Sequence, residues 1–467
     1  MSEEQNPQEL IAQKIELARA AQAQVENYTQ EQVDELITAM VWSVAREDRS
    51  EEIAQLAVDE TELGNYEGKY LKIHVKTRAT LFDIIDDKSV GVIEELPERN
   101  IVKIAKPVGV IGALAPSTNP EATPVIKSIS AVKGRNAIII APHPRGKLTN
   151  KVICDYMREA IELCGGPADL VQYIETPSLE STNELMAQCD RILATGGGAM
   201  VNAAYSSGTP ALGVGVGNAC ITVDDSADLD EAAEKIRISK TLDLAASCSS
   251  DNSVLVFDSV YDEFVAKLKH EGGYVVNEEE KAKLQATIWP EGNLNAGIVA
   301  QPIYKIAGMA GIELPYGVQF LMVPEDGAGA DHPFSGEKLS VIMALFRVKD
   351  IDDAIATTNS IQAYQGQGHS CGIYSYNDDN IMAYALATKT SRLLVNQPQA
   401  PSNSGNLWNG LRQTFSLGCG SWGGNSTNNN ITWRDLVNET WVSRPLAESK
   451  VLPSDDKLFG SVMDKFS

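Results

Sequence analysis

The chain has 467 residues, 43% hydrophobic and 22% charged, a composition that excludes general disorder and exceeds what one hydrophobic core supports, so two or three domains are expected. Thirty-nine basic against 63 acidic residues give a net charge of −24 with no basic run, which disfavours a nucleic-acid partner and leaves any anionic ligand dependent on locally placed donors. No stretch approaches the ~20 apolar residues of a membrane span, the opening Met-Ser-Glu-Glu-Gln-Asn-Pro lacks a secretion pattern, and seven scattered cysteines contain no Cys-x-x-Cys; a cytoplasmic protein with reduced thiols, no metal site and no membrane partner is expected.

In chain order, Asn6-Pro7 reads as a helix start and Thr29-x-x-Gln32 as a capping box ahead of Val33, Leu36, Ile37, Met40, Val41 and Val44. The first ~60 residues therefore read as amphipathic helices that serve packing. From about residue 100 the period changes. Strand-like Ile101–Ala105, Val108–Leu114, Ala137–Ala141, Leu170–Ile174, Arg191–Ala194 and Cys220–Val223 surround helix-like Thr123–Lys133 and Thr149–Leu163. Strands alternating with helices predict a parallel sheet covered on both faces, whose ligands bind at the carboxyl ends of the strands.

The alternation restarts after about Asp225. A helix near Leu229–Leu242 precedes strand Val254–Phe257, helices follow near 260–269 and 278–288, and strands near Val318–Val323, Ser340–Val348, Gly372–Tyr374 and Arg392–Asn396. This is a second α/β domain, with a border near Ala219–Asp228. Ser402–Ser426 is rich in Gly, Ser, Asn and Trp, a composition more often functional than idle in a compact protein, and Asn430–Trp441 suits a strand added to a neighbouring sheet.

Four stretches carry candidate chemistry. Cys248, within Leu-Ala-Ala-Ser-Cys-Ser-Ser-Asp-Asn, is flanked by small residues that leave room for an electrophile, although a free thiol is commonly a buried, inert small side chain. Asn119 sits where a strand gives way to a helix and is placed either to donate its amide to an oxyanion or to make an ordinary Asn-Pro turn. Ala194-Thr-Gly-Gly-Gly-Ala-Met200 follows a strand and opens a helix, as a phosphate contact or a tight turn would. Glu337 and Gly368-His369 complete the set, His369 being either a base or a hydrogen-bonded core histidine.

Together with Pro142-His-Pro144, Ala203-Ala-Tyr-Ser-Ser-Gly208, Gly213-Val-Gly-Val-Gly-Asn218 and Leu417-Gly-Cys-Gly-Ser-Trp-Gly-Gly-Asn425, these segments resemble the CoA-acylating branch of the aldehyde dehydrogenase superfamily, in order, from about Glu31 to Arg444. The resemblance implies two Rossmann-like three-layer α/β domains with a small strand extension. Residues 1–222 would bind cofactor, 223–425 would carry the nucleophile, and 426–467 would supply an oligomerisation strand and tail for a homodimer or homotetramer. It implies Cys248 as nucleophile and Asn119 with the Cys248 amide as oxyanion donors. His369 would be a base for the incoming thiol. NAD or NADP would lie along Ser117, Thr118, His143, Pro144, Arg145, Thr195, Gly196, Gly197, Gly215 and Glu337, and coenzyme A would be co-substrate. Arg145 or Lys147 suits a 2′-phosphate, while Gly198 departs from the proline or alanine that relatives often carry at this turn.

Hydrolytic members activate water with a glutamate that Gly213–Asn218 lacks, so the acyl-enzyme would wait for a thiol. The pocket, by analogy Asn396, Trp408 and Arg412, is more similar to that of acylating sulfoacetaldehyde and succinate-semialdehyde enzymes than to the acetaldehyde half of bifunctional ones. Arg412 is expected to fork an anionic aldehyde, with sulfoacetaldehyde favoured, unless it faces solvent. Release of a free acid and a catalytically idle scaffold are the competing readings.

Overall fold

The computed structural model describes residues 6–466; residues 1–5, part of the segment read for a secretion signal, lie outside it. The Asn6 side chain caps helix Pro7–Val25, and the predicted capping box of Thr29 and Gln32 opens helix Gln30–Ala45. Both helices turn their apolar stripe inward: Ile11, Ile37 and Met40 are fully buried, each contributing about 1.5–3 kcal/mol by leaving water. A third helix, Glu47–Thr61, leads to Tyr66–Tyr70, a π-helical turn Leu71–Lys76, and helix Thr77–Ile84. The π turn falls where three lysines, 69, 72 and 76, recur along one helix. Such turns are frequent at functional sites.

These helices cover a five-stranded parallel sheet in the order Val171–Tyr173, Ala137–Pro142, Val110–Ala115, Arg191–Thr195, Ala211–Val214. Val110–Ala115 comes first in the chain and its neighbours follow on either side, so the strand order reverses between it and Arg191–Thr195. A crevice opens at the carboxyl ends of strands at such a switch point. Ile138, Ile139 and Ile140 are fully buried, as a strand covered on both faces requires.

The second sheet has seven parallel strands in the order Gly273–Val275, Phe320–Glu325, Ile342–Val348, Asp251–Phe257, Ala219–Val223, Cys371–Tyr374, Leu393–Val395. Ala219–Val223 belongs to it and packs in the second core, so the border predicted at 222–223 falls one strand late and the crossing is Gly215–Asn218.

Two expectations are corrected in the remaining, antiparallel sheet of Gly91–Leu96, Ile101–Pro107 and Val437–Ser443. Ile101–Pro107 stands outside the parallel sheet because its hairpin partner, Gly91–Leu96, precedes it by a four-residue turn. The C-terminal strand, expected within Asn430–Trp441, falls at Val437–Ser443 and pairs with Ile101–Pro107 of its own chain, because Trp433, Leu436 and Val437 pack into the first core ahead of it. Among the described residues no helix is long and apolar enough to cross a membrane.

Candidate active site

A cavity of about 810 Å³ lies between the two parallel sheets and is lined from both. The first sheet contributes the residues that follow its strands: Ser117, Thr118 and Asn119 after Val110–Ala115, His143 and Arg145 after Ala137–Pro142, and Thr195, Gly196 and Gly197 after Arg191–Thr195. Helix Gly198–Ser206 begins here with Gly197 as its N-cap, so its free amides face the crevice. Pro144 is exposed in the tight turn Pro144–Gly146 and does not line the cavity; it serves the bend that brings Arg145 round.

The second sheet meets the cavity with its opposite end. Cys248 lies three residues before strand Asp251–Phe257, His369 two before Cys371–Tyr374, and Glu337 five before Ile342–Val348. The helix that precedes Cys248, Leu229–Thr241, ends sooner than expected, and Asp243, Leu244 and Ala245 take left-handed backbone angles (φ 49°, 52° and 61°) that turn the chain into the crevice. Gly217 explains how the two domains close on this turn: a Cβ there would stand 2.0 Å from the Cys248 carbonyl oxygen. Gly368, at φ +85°, likewise lies where a Cβ would meet the Cys419 carbonyl oxygen at 2.0 Å, so the glycine-rich segment near 420 packs directly beneath the loop carrying His369.

His369 Nε2 stands 3.2 Å from Cys248 Sγ. Its Nδ1 is 2.8 Å from Ser370 Oγ, and with the proton on Nδ1, donated to that hydroxyl, the Nε2 lone pair faces the thiol. The imidazole is fully buried, and burial followed by the nearby Arg392 guanidinium pushes its pKa down to about 3. Burial, with the Glu337 carboxyl adding to it, pushes the Cys248 thiol up to about 12. The resting pair is therefore neutral: a thiol facing a base. Cys248 is the cysteine that lines the cavity among the described residues, whereas Cys154, Cys189, Cys220, Cys371 and Cys419 are buried in the cores.

Arg392, unforeseen in the sequence, is clamped by the carbonyls of His369 (2.8 Å) and Gly418 (2.7 Å) and so ties the histidine loop to the glycine-rich segment. Asn119 Oδ1 accepts from Lys72 Nζ at 2.5 Å, while its Nδ2 lies 3.3 Å from Thr118 Oγ1. Lys72 and Lys76, which also line the cavity, escaped sequence analysis because the lysine spacing of 69, 72 and 76 resembles an ordinary solvated helix face. Thr195 Oγ1 and Glu337 Oε1 are buried without a protein partner, as groups awaiting a ligand's hydroxyls or amide would be. Burial raises the Glu337 carboxyl to about 8, against the opposing pull of the Gly217 amide. Gly215 takes its place in the wall, its amide donating to Asn425 Oδ1 at 3.2 Å.

Two of the expected substrate contacts lie elsewhere. Arg412 is held by Asp83 Oδ1 (3.3 Å) and Asp87 Oδ1 (3.1 Å) and does not line the cavity, since two carboxylates already satisfy its guanidinium. Asn396 bridges the backbone N–H and carbonyl of Ser375, at 2.9 and 2.8 Å, and braces a turn outside the cavity. Trp408 is at the cavity, 59% exposed, its indole N–H donating to Ser402 Oγ.

Two interleaved α/β halves closing on a cysteine with a histidine behind it and a carboxamide before it describe an oxidoreductase of the aldehyde dehydrogenase type. The aldehyde dehydrogenase family profile matches residues 3–282, and the chain belongs to that family. It is 44% identical to a sulfoacetaldehyde dehydrogenase of an Acholeplasma species, over 97% of this chain and 94% of the relative. It is 39% identical to the succinate-semialdehyde dehydrogenase (acetylating) of Clostridium kluyveri, over 96% and 99%. The crystal structure of an acetylating aldehyde dehydrogenase from Geobacillus thermoglucosidasius superposes with a TM-score of 0.91 at 37% identity, covering 96% of this chain and 98% of that one. These relatives place the chain on the acylating branch.

Proposed function

We propose that the chain converts a short anionic aldehyde, sulfoacetaldehyde before succinate semialdehyde or acetaldehyde, to its coenzyme A thioester with NAD or NADP. The observation that carries this reading is the 3.2 Å contact between Cys248 Sγ and His369 Nε2 beside a cavity fed from both domains. The Cys248 sulfur adds to the aldehyde carbon as its proton passes to Nε2, and the former carbonyl oxygen, now an oxyanion, receives the Asn119 Nδ2–H. The proton then leaves for solvent, restoring the neutral imidazole that a pKa of about 3 favours.

Thr195, Gly196, Gly197 and Glu337 would hold a nicotinamide cofactor, the orphaned Thr195 and Glu337 oxygens being suited to it; when bound, it supplies the acceptor for the hydride whose loss leaves a thioester on Cys248. The coenzyme A thiol attacks that thioester, giving its proton to His369 Nε2, which returns one to the departing Cys248 sulfur. Water is the poorer competitor. Gly213–Asn218 carries no acid, and Glu337, with a pKa of about 8, is mostly protonated at neutral pH and so is no base for it.

Arg412 being spoken for, Lys76 supports an anionic substrate instead. Its amine is held in the cavity wall by the carbonyls of Ser404 and Gly405 and by Gln413 Oε1, with no carboxylate in ion-pair reach among the described residues; burial pushes its pKa down to about 7, so an anion bound beside it would draw it into the charged form. Mass spectrometry of enzyme given aldehyde and oxidised cofactor, without coenzyme A, should find the acyl adduct on Cys248. An adduct elsewhere, or repeated turnover under those conditions, overturns the reading. Lys76→Met should lower kcat/KM about tenfold or more for sulfoacetaldehyde and little for acetaldehyde.

A further inference from the structure

Beneath Asn119 lies a set of buried charges that the reaction scheme above leaves unused. Lys72 Nζ donates to Asn119 Oδ1 at 2.5 Å and is ion-paired with Asp243 Oδ2. Lys69 Nζ donates to the Thr118 carbonyl at 2.5 Å and lies 2.9 Å from the same Asp243 oxygen. Glu121, 3.7 Å from Lys69, completes a group of two lysines and two carboxyls that is fully buried except at Lys72, whose side chain reaches the cavity wall. One lysine thus holds the main chain before Asn119 and the other its side chain, and Asp243 anchors both.

Asp243 reaches this point at a conformational cost. It heads the run of three left-handed residues before Cys248, and its carboxylate Oδ1 accepts from the Asn65 backbone N–H at 2.9 Å. The space it fills exists because residues 64 and 68 are glycines: a Cβ on Gly64 would stand 1.9 Å from Asp243 Oδ1, and one on Gly68 2.5 Å from its Cβ. The segment that delivers the nucleophile and the segment that supports the carboxamide are therefore joined through one aspartate.

The chemistry of an ammonium makes the contact directional. Lysine donates and cannot accept, so the end of the Asn119 carboxamide that faces Lys72 must be its oxygen, and the NH2 is left facing Thr118 Oγ1 and the cavity. Without that cation the carboxamide is free to rotate by half a turn and present a carbonyl oxygen to the developing negative charge, which would repel it. We propose that Lys72, anchored by Asp243, is a positioning residue: it fixes the donor end of Asn119 toward the aldehyde oxygen and acts on the oxyanion only through that carboxamide. This rests on the reading of Asn119 given above.

Steady-state kinetics with sulfoacetaldehyde and with acetaldehyde, on Asn119→Ala, Lys72→Met and the double variant, test it. Asn119→Ala should lower kcat about 10²–10³-fold, the cost of an oxyanion donor. Lys72→Met should lower kcat about 10–10²-fold for both aldehydes with KM within about threefold, Lys72→Arg should recover most of that loss, and Lys72→Met added to Asn119→Ala should cost less than about threefold more. Should Lys72→Met fail to fold because Asp243 is left unpaired, Lys72→Met with Asp243→Asn removes both charges and is read in its place, its folding checked by thermal unfolding. If Asn119→Ala costs less than about tenfold, the oxyanion assignment falls and this inference with it. If that loss is large but the Lys72 loss multiplies it in full, this inference alone falls. It falls too if Lys72→Met raises KM for sulfoacetaldehyde only, since Lys72 would then anchor the anionic tail.

Discussion

The two parallel sheets serve the cavity from opposite ends. The five-stranded sheet offers the carboxyl ends of its strands, where backbone amides and the start of helix Gly198–Ser206 gather. The seven-stranded sheet offers its amino ends, where the chain enters a strand and a side chain such as Cys248 or His369 is held at the root of a fully buried β-ladder. The general rule about ligand sites in open α/β sheets describes the first half only. The difference is one of task. Amides at a strand's exit suit a diffusible ligand's phosphates, while residues locked two or three positions before a strand keep the Cys248 thiol and the His369 imidazole within 3.2 Å.

Variants on the two sides should therefore break different kinetic constants. The largest effect is expected from His369→Asn, which should lower kcat about 10²–10³-fold and slow formation of the Cys248 adduct in single turnovers, with cofactor binding little changed. On the opposite side, Arg145→Ala should raise KM for NADP about tenfold and leave KM for NAD and kcat nearly unchanged, as initial rates with each cofactor will reveal.

The smallest effect is on stability, through Glu337. Its carboxyl is raised from 4.5 to about 8 in the folded chain, so the protonated form stabilises the fold fully below pH 4.5, and that contribution is lost as the pH climbs to about 8. Glu337→Gln should remove this slope. Thermal unfolding of wild type against variant at pH 5 and pH 8 should differ in its pH response by about 2–4 °C or somewhat more.

Much of this was legible in the residues. The Thr29–Gln32 capping box, the helix Thr123–Lys133 and the isoleucine strand at 137–142 are local signals, set by spacing and end residues alone. Cys248, His369 and Asn119 were reached through their motifs; Cys248 and Asn119 line one cavity, and the His369 imidazole stands 3.2 Å from the thiol. What escaped depended on tertiary partners. Arg412 reads as a free cation until Asp83 and Asp87, more than 300 positions away in sequence, are seen to hold it. Lys69 and Lys72 read as a solvated face until Asp243 arrives beneath them. Strand Ala211–Val214 was hidden inside a glycine-rich run, where alternation gives no signal.

The return of the chain at Trp433 through Ser443 bears on how the protein is made. Trp433 and Leu436 are wholly enclosed in the core of the half that is synthesised first, and Val437–Ser443 completes the antiparallel ribbon begun at Gly91. On the ribosome the amino-terminal half must wait, with that flank open, until the whole of the second half has emerged. Shortening the chain before residue 433 would thus open the core of the part farthest from the cut.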